Sequence, residues 1–211
     1  HSVPEARILN PEVTMYRVFA MCLEAGIAAI ILIPAFWVLN RYCFHNSRRA
    51  VWYLLMSLYL AAVDAVVGLP SLMYIRFDQN INLVPFAYMF SDYRNSLLNV
   101  LLFVPLGFFL PVLWKRFRSF LWTVLFGLGF SLSIELLQLF TFRATDINDL
   151  ITNTVGTILG WCLGRLFGKL FPSIRPSWKT WELAIVFGLT FTVMFLVQPF
   201  LAEVVWQLIR R

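Results

Sequence analysis

Six long apolar stretches constrain the fold of this chain more than any other feature of its sequence. A helix needs about 20 apolar residues to cross a bilayer core of about 30 Å, and it satisfies its own backbone hydrogen bonds in lipid. The stretches are Val18–Leu39, Ala50–Leu72, Asn95–Trp114, Ser119–Thr141, Ile147–Phe171 and Thr180–Leu208. We therefore predict an all-α, polytopic membrane helix bundle with about six transmembrane helices, or five if the last stretch does not cross.

The composition supports the same fold class. The chain is 60% apolar and 13% charged, whereas a soluble domain has roughly 45–50% apolar and 25% charged residues. The net charge of +6 does not indicate a nucleic-acid partner, because the Lys and Arg residues lie in short runs between the apolar stretches. Membrane lipids are the predicted partners. The sequence indicates neither a cofactor nor an oligomeric state.

We expect a single transmembrane domain over residues 17–211. It follows an N-terminal segment, 1–16, that begins with His1 rather than Met and is compatible with a tag remnant or a truncation. The first apolar stretch lacks signal-peptide features and should remain in the mature protein. The three cysteines, Cys22, Cys43 and Cys162, have no metal-ligand or disulfide spacing, so we interpret them as reduced packing residues.

Breaks in the apolar pattern predict local irregularities. Pro34 predicts a bend in the first helix, Pro105 and Pro111 predict bends in the third, and Gln198-Pro199 predicts a kink or an early end of the sixth. The longest connection, Met73 to Arg94, is too short to span but contains several apolar residues, which favours an interfacial or re-entrant loop on the outer side.

The basic residues predict the orientation of the helices, because cytoplasmic loops near the membrane are enriched in Lys and Arg. The connections after the first, third and fifth stretches, taken with the end of the fifth stretch itself, contain ten of the 17 basic residues: Arg41, Arg48, Arg49, Lys115, Arg116, Arg118, Arg165, Lys169, Arg175 and Lys179. The opposite side contains seven basic residues and seven acids. We therefore expect both termini outside.

Acidic residues within the apolar stretches are functional-site candidates, since a charge at mid-membrane depth costs from about 3 to above 10 kcal/mol. Glu24, Asp64 and Glu135 are such residues, and the predicted orientation places all three in the outer half of the membrane. Glu24 and Asp64 also have a structural interpretation, as ion-pair partners of Arg17 or Arg76.

The start of the fifth stretch has two superimposed patterns. Thr145 or Asp146 can cap a helix there, with Asp149 in its first turn, where acids are favoured. Glycines then recur every four residues at Gly156, Gly160 and Gly164, a spacing that lets helix backbones approach closely. We interpret the glycines as packing positions, with Asp149 and Asn153 on the same face nearer the outer surface.

Three motifs resemble the VanZ-like family of bacterial membrane proteins. Asn82-Leu-Val-Pro85-Phe86 resembles the family's outer-loop segment, and Asn99 through Phe103, Pro105 and Gly107 resembles its Asn-x-x-x-Phe-x-Pro-x-Gly helix. The third and most specific motif contains Glu135, Gln138, Asp146, Asp149, Asn153 and Gly156. The resemblance covers residues 81–171. The family is named for a protein linked to teicoplanin resistance, so the resemblance implies a role at the bacterial cell envelope.

The first functional hypothesis is a binding or protective protein in the bacterial cell membrane. Its polar and acidic cavity would open outward and bind a lipid-linked cell-wall precursor, a lipoglycopeptide or another envelope molecule. The predicted ligand-binding residues are Asn82, Arg94, Asn99, Glu135, Gln138, Arg143, Asp146, Asp149 and Asn153.

Two alternatives use the same acids differently. An intramembrane enzyme acting on a lipid headgroup would use Glu135, Asp146 and Asp149 as catalytic residues, with one carboxylate as general base and a divalent metal as an optional addition. A small lipid or solute transporter would use the membrane acids as a proton relay. The sequence itself shows no internal repeat, which argues against the transporter.

Overall fold

The computed structural model describes residues 11–68, 81–82, 84–86, 93–140, 145–171 and 176–209. Within these residues the chain is almost entirely helical. The elements are α1 (Pro11–Leu39) with a π-helical turn (Asn40–Phe44), α2 (Ser47–Val67), β1 (Ile81–Asn82), α3 (Tyr93–Leu113), a 3-10 turn (Lys115–Arg118), α4 (Phe120–Gln138), β2 (Thr145–Asp146), α5 (Ile147–Leu170), α6 (Trp181–Thr192), a second π-helical turn (Val193–Val197) and α7 (Gln198–Ile209).

The predicted membrane helix bundle is confirmed. Five helical segments are long and apolar enough to cross a membrane, and they include the segment Trp181–Leu208. The α5 helix is more polar and is not among these five segments. It nevertheless packs along the length of α3, which is one of the five. Large apolar side chains such as Ile30 and Trp37 are exposed, as expected for surfaces in contact with lipid.

One predicted boundary needs correction, and one alternative that the sequence left open is decided. The second helix ends at Val67 rather than Leu72, because Gly68 takes a left-handed conformation with φ 65° and its N–H bonds to the carbonyl of Asp64. The sixth does not end at Gln198-Pro199. Proline has no N–H to donate, and the π-helical turn lets the Gln198 N–H bond to the Val193 carbonyl, so that the helix continues as α7.

The α3 and α5 helices form the central pair and run parallel. A Cβ on Gly156 would lie 2.2 Å from the carbonyl oxygen of Val100, and one on Gly160 would lie 2.0 Å from that of Val104. The same relation continues one turn further along, between Gly164 and Phe108. The predicted packing role of the glycine stripe is therefore confirmed, and its partner is α3.

The two ends of the bundle have different chemistry. At the motif end lie β1, β2, the start of α3, the end of α4 and the start of α5. At the basic end lie the turn between α1 and α2, the Lys115–Arg118 turn and residues 176–180 before α6. The basic end is held together by parallel backbone pairing, in which Ser177 donates to the Leu113 carbonyl at 2.7 Å and accepts from the Lys115 N–H at 2.8 Å.

A buried acid near the basic end joins α2 to α6. Glu182 is only 1% exposed; it accepts a 2.5 Å hydrogen bond from the Tyr53 hydroxyl and pairs with Arg49 at 3.6 Å. The Tyr53 ring stacks on Trp114 with centroids 5.3 Å apart. A buried carboxylate needs such partners, because desolvation of an unpaired charge costs several kcal/mol.

The three cysteines and the acids Glu24 and Asp64 are the other residues for which the sequence predicted a role within the helices. Cys22, Cys43 and Cys162 are free, as predicted, but they are exposed rather than packed in the core. Glu24 and Asp64 lie close enough for their charges to interact. Their predicted partners, the Arg17 side chain and Arg76, lie outside the described residues, as does most of the Met73–Arg94 connection.

Candidate functional site

The motif end is assembled around a short parallel pairing of β1 with β2. Ile81 pairs with Thr145 and Asn82 with Asp146, so the loop before α3 lies against the start of α5. The Asn82 Nδ2 then donates a 3.2 Å hydrogen bond to Oδ2 of Asp146. Residues 64 positions apart in the chain thus share one polar contact.

Asp146 connects three elements. Its Oδ1 accepts a 2.9 Å hydrogen bond from the Asn148 N–H, which confirms the predicted helix cap at this residue. Its own N–H donates to Oε2 of Glu135 at 3.0 Å. The carboxylate of Glu135, which is 4% exposed, therefore joins the last turn of α4 to the first residues of α5.

A strained turn presents two apolar side chains beside this network. Phe86 has φ 62°, a left-handed conformation that a bulky residue rarely adopts. Its N–H donates a 2.6 Å hydrogen bond to Oδ1 of Asn148, and Asn82 Oδ1 accepts from the Val84 N–H at 3.2 Å. Val84 and Phe86 are 61% and 60% exposed. The polar network thus holds an exposed apolar turn in place.

Two further amides are buried, Asn153 about two turns into α5 and Gln138 at the end of α4. Asn153 Nδ2 donates a 2.8 Å hydrogen bond to Ser131 Oγ, and Asn153 is 4% exposed. Gln138 is 5% exposed and lies at the end of α4. Sequence analysis identified Asn153 from its position on the glycine face and Gln138 from the motif that contains Glu135. Both side chains are buried within the bundle rather than exposed on its surface.

The other predicted ligand-binding residues have different positions. Asp149 is half-buried in the first turn of α5, and its charge, like that of Asp146, is close enough to repel Glu135. Asn99 is half-buried and Arg94 is exposed near the start of α3. Arg143 lies outside the described residues. The structure therefore brings Asn82, Glu135, Asp146 and Asp149 together, with Arg94 on the surface of the same end.

Sequence reasoning missed Asn148 and Ser131. Both have short polar side chains that bond to a neighbouring element, Asn148 to the turn at Phe86 and Ser131 to Asn153. Asn148 lies between Asp146 and Asp149 in the most specific motif, and that position could have identified it. Ser131 lies one helical turn before Glu135 on α4, so helix periodicity could have placed it near the site.

Glu135, Asp146 and Asp149 are not arranged as a cluster of metal ligands in the described structure. Among the described residues, which include all three, no group of three or more His, Cys, Asp or Glu side chains could hold a metal ion. Both carboxylate oxygens of Asp146 already accept hydrogen bonds from Asn82 and Asn148. The divalent metal suggested for the enzyme alternative is therefore not supported.

The chain is similar to known proteins over part or most of its length. It is 41% identical over 83 residues to Protein VanZ of Enterococcus faecium, an alignment that covers 39% of this chain and 50% of that protein. The chain thus matches about half the length of that relative. No solved structure matches the chain.

The family comparison covers more of the chain than the three motifs do. The sequence profile of the VanZ/LLP1 family matches residues 15–168, which extend from α1 almost to the end of α5. Because this match includes well over half of the residues, the chain belongs to the VanZ/LLP1 family.

Proposed function

We propose that the motif end is an outward-facing binding site for a lipid-linked or cell-envelope molecule in the bacterial cell membrane. Binding there would contribute to tolerance of glycopeptide antibiotics such as teicoplanin. The proposal rests on one observation: the acids Glu135, Asp146 and Asp149 gather beside an exposed apolar turn at Val84 and Phe86.

This combination of groups favours an amphipathic ligand. Carboxylates accept hydrogen bonds from amine, amide and hydroxyl groups, which are abundant in cell-wall precursors and lipoglycopeptides. Exposed apolar side chains at a membrane surface contact a lipid tail or an acyl chain. Arg94 is exposed near the start of α3. Of the two predicted basic contacts, Arg94 and Arg143, it is the one that the structure describes, and it would contact a phosphate.

The outward orientation is part of the proposal. The connections at the basic end and the last turns of α5 together contain ten of the 17 Lys and Arg residues, and the enrichment of such residues on the cytoplasmic side places the basic end inside. The motif end then faces outward, where lipid-linked precursors are displayed.

Cysteine labelling in intact cells tests this orientation. We expect a cysteine introduced in the Lys115–Arg118 turn to be shielded from impermeant thiol reagents, and one introduced near Arg143 to react. The native Cys22, Cys43 and Cys162 should first be replaced, because all three are exposed. The opposite labelling pattern would overturn the inward assignment of the basic end.

Substitution of Asp149 with asparagine tests the binding function. Asp149 is half-buried beside Glu135, and asparagine keeps its size while removing its charge. We expect Asp149→Asn to lose most of the teicoplanin tolerance that the parent chain confers on a susceptible bacterium, at matched membrane expression. The measurement is the inhibitory concentration of teicoplanin.

Glu203→Gln is the matched control, because Glu203 lies on α7, which packs mainly against α1 rather than against the elements of the motif end, and its only described side-chain bond is a 3.1 Å contact with Gln207. Tolerance should be unchanged in this variant. If Asp149→Asn retains full tolerance, or if both variants lose it equally, the acids do not form the binding site.

The intramembrane enzyme is the alternative that a specific observation favours. Glu135 is nearly inaccessible and lies near two other acids, an arrangement that also suits a general base. Conversion of an envelope lipid by the purified protein, lost on Glu135→Gln, would favour the enzyme over the binding protein.

A further inference from the structure

The basic end carries three cations that lie over tryptophan rings. The Arg116 guanidinium carbon is 3.8 Å from the centroid of the Trp122 ring, and the Lys115 Nζ is 3.8 Å from that of Trp178. Lys179 Nζ lies 5.7 Å from the centroid of Trp181. Tryptophan is enriched at the membrane–water interface, so these pairs place the cations at the level of lipid headgroups.

These cations are available to an anion. Lys115, Arg116 and Lys179 are all exposed, and within the described part of the chain the single ion pair is Arg49 with Glu182. A guanidinium stacked on an indole keeps its in-plane N–H donors. Glu182 follows the Lys179 segment closely, but its carboxylate is buried against Tyr53 and Arg49.

An open apolar groove of about 340 Å³ begins at Arg116. It runs between the N-terminal turns of α4 and α6, with walls formed by Phe117, Trp122, Leu125, Phe126 and Leu183. Leu125 and Phe126 lie one turn further into α4 than Trp122, so the groove extends from headgroup level toward the bilayer core. Binding sites of this size are mostly apolar, with a few polar groups that fix the ligand.

We propose that this groove binds an anionic phospholipid from the surrounding leaflet. Arg116 contacts the phosphate, with Lys115 and Lys179 adding positive charge, and an acyl chain lies along Leu125 and Leu183. Basic pockets between transmembrane helices suit anionic headgroups in this way. The site is at the opposite end of the bundle from the motif end and is independent of the function proposed there.

Lipid titration of the delipidated full chain in detergent, followed by native mass spectrometry, tests this site. We expect phosphatidylglycerol to bind more tightly than phosphatidylcholine. Arg116→Gln should weaken phosphatidylglycerol binding about fivefold, which corresponds to about 1 kcal/mol for one basic residue at a membrane surface. Leu125→Trp, which fills the groove and keeps every charge, should weaken binding to a similar extent.

Arg41→Gln is the matched control, because Arg41 is exposed at the same end of the bundle but does not line the groove. It should bind phosphatidylglycerol like the parent chain. Equal losses of phosphatidylglycerol binding in Arg41→Gln and Arg116→Gln would show that net charge alone explains the effect, and would overturn the proposed site. If Leu125→Trp binds phosphatidylglycerol like the parent chain, or if inorganic phosphate displaces the bound lipid as well as phosphatidylglycerol itself does, the proposal that the groove binds an acyl chain would be overturned.

Discussion

Replacing Gly160 with alanine should strongly destabilise the bundle, although the change adds only one methyl group. The added Cβ would lie 2.0 Å from the carbonyl oxygen of Val104, 2.8 Å from the Phe108 nitrogen and 2.9 Å from the Gly107 Cα. All three are backbone atoms of α3, so they cannot move aside without separating the helices. Overpacking costs about 1–3 kcal/mol and occasionally more, and we expect a loss at or above the upper value.

Thermal unfolding in detergent and the yield of monodisperse protein measure this loss. Gly129→Ala and Gly188→Ala are matched controls, because a Cβ at either glycine meets no atom within 4 Å. Alanine also favours helix over glycine by up to about 1 kcal/mol, so these variants should be as stable as the parent or more stable. A Gly160→Ala protein that melts with the controls would contradict the close packing of α3 against α5.

The central helix pair shows what the sequence could and could not predict. The four-residue spacing of Gly156, Gly160 and Gly164 correctly predicted a close approach of two backbones. The spacing did not identify the partner, because any of the other helices could lie against a smooth glycine face. Gly107 on α3 completes the contact, since a Cβ there would lie 2.1 Å from the Thr157 carbonyl oxygen.

This contact gives part of the family resemblance a structural explanation. Gly107 and Gly156 lie at the α3–α5 interface, and Phe103 is fully buried beside it. These motif residues therefore position the helices. Asn82, Glu135 and Asp146 instead form the hydrogen-bonded network at the motif end. A motif read from sequence does not separate these two roles, because both require particular residues at fixed spacings.

Sequence analysis identified several residues of the polar network but not the hydrogen bonds that connect them. Depth and helical spacing selected Glu135, and the helix-start pattern selected Asp146. Neither predicts that the Asp146 N–H donates to Glu135, since that bond depends on the path of the chain between α4 and α5. The left-handed conformation of Phe86 could not be predicted either, because it depends on Asn148, 62 residues later.

Glu135→Gln should separate a structural from a functional role for this network. Glutamine keeps an oxygen that can accept the Asp146 N–H, and it removes a charge that Asp146 and Asp149 repel. We therefore expect the thermal stability in detergent to be unchanged or raised, while teicoplanin tolerance in cells is abolished. A network that depends on the charge for stability predicts the opposite, a loss of about 3–5 kcal/mol from an unpaired buried partner.

The two measurements must be made on the same variants at matched expression, because a protein that unfolds early also loses activity. Glu203→Gln provides the control for both, since it removes an acid from α7 without touching the motif end. Normal melting together with lost tolerance in Glu135→Gln would assign the Glu135 charge to function rather than to stability. A Glu135→Gln protein that melts early yet keeps full tolerance would refute that assignment, because the carboxylate would then stabilise the fold without contributing to function.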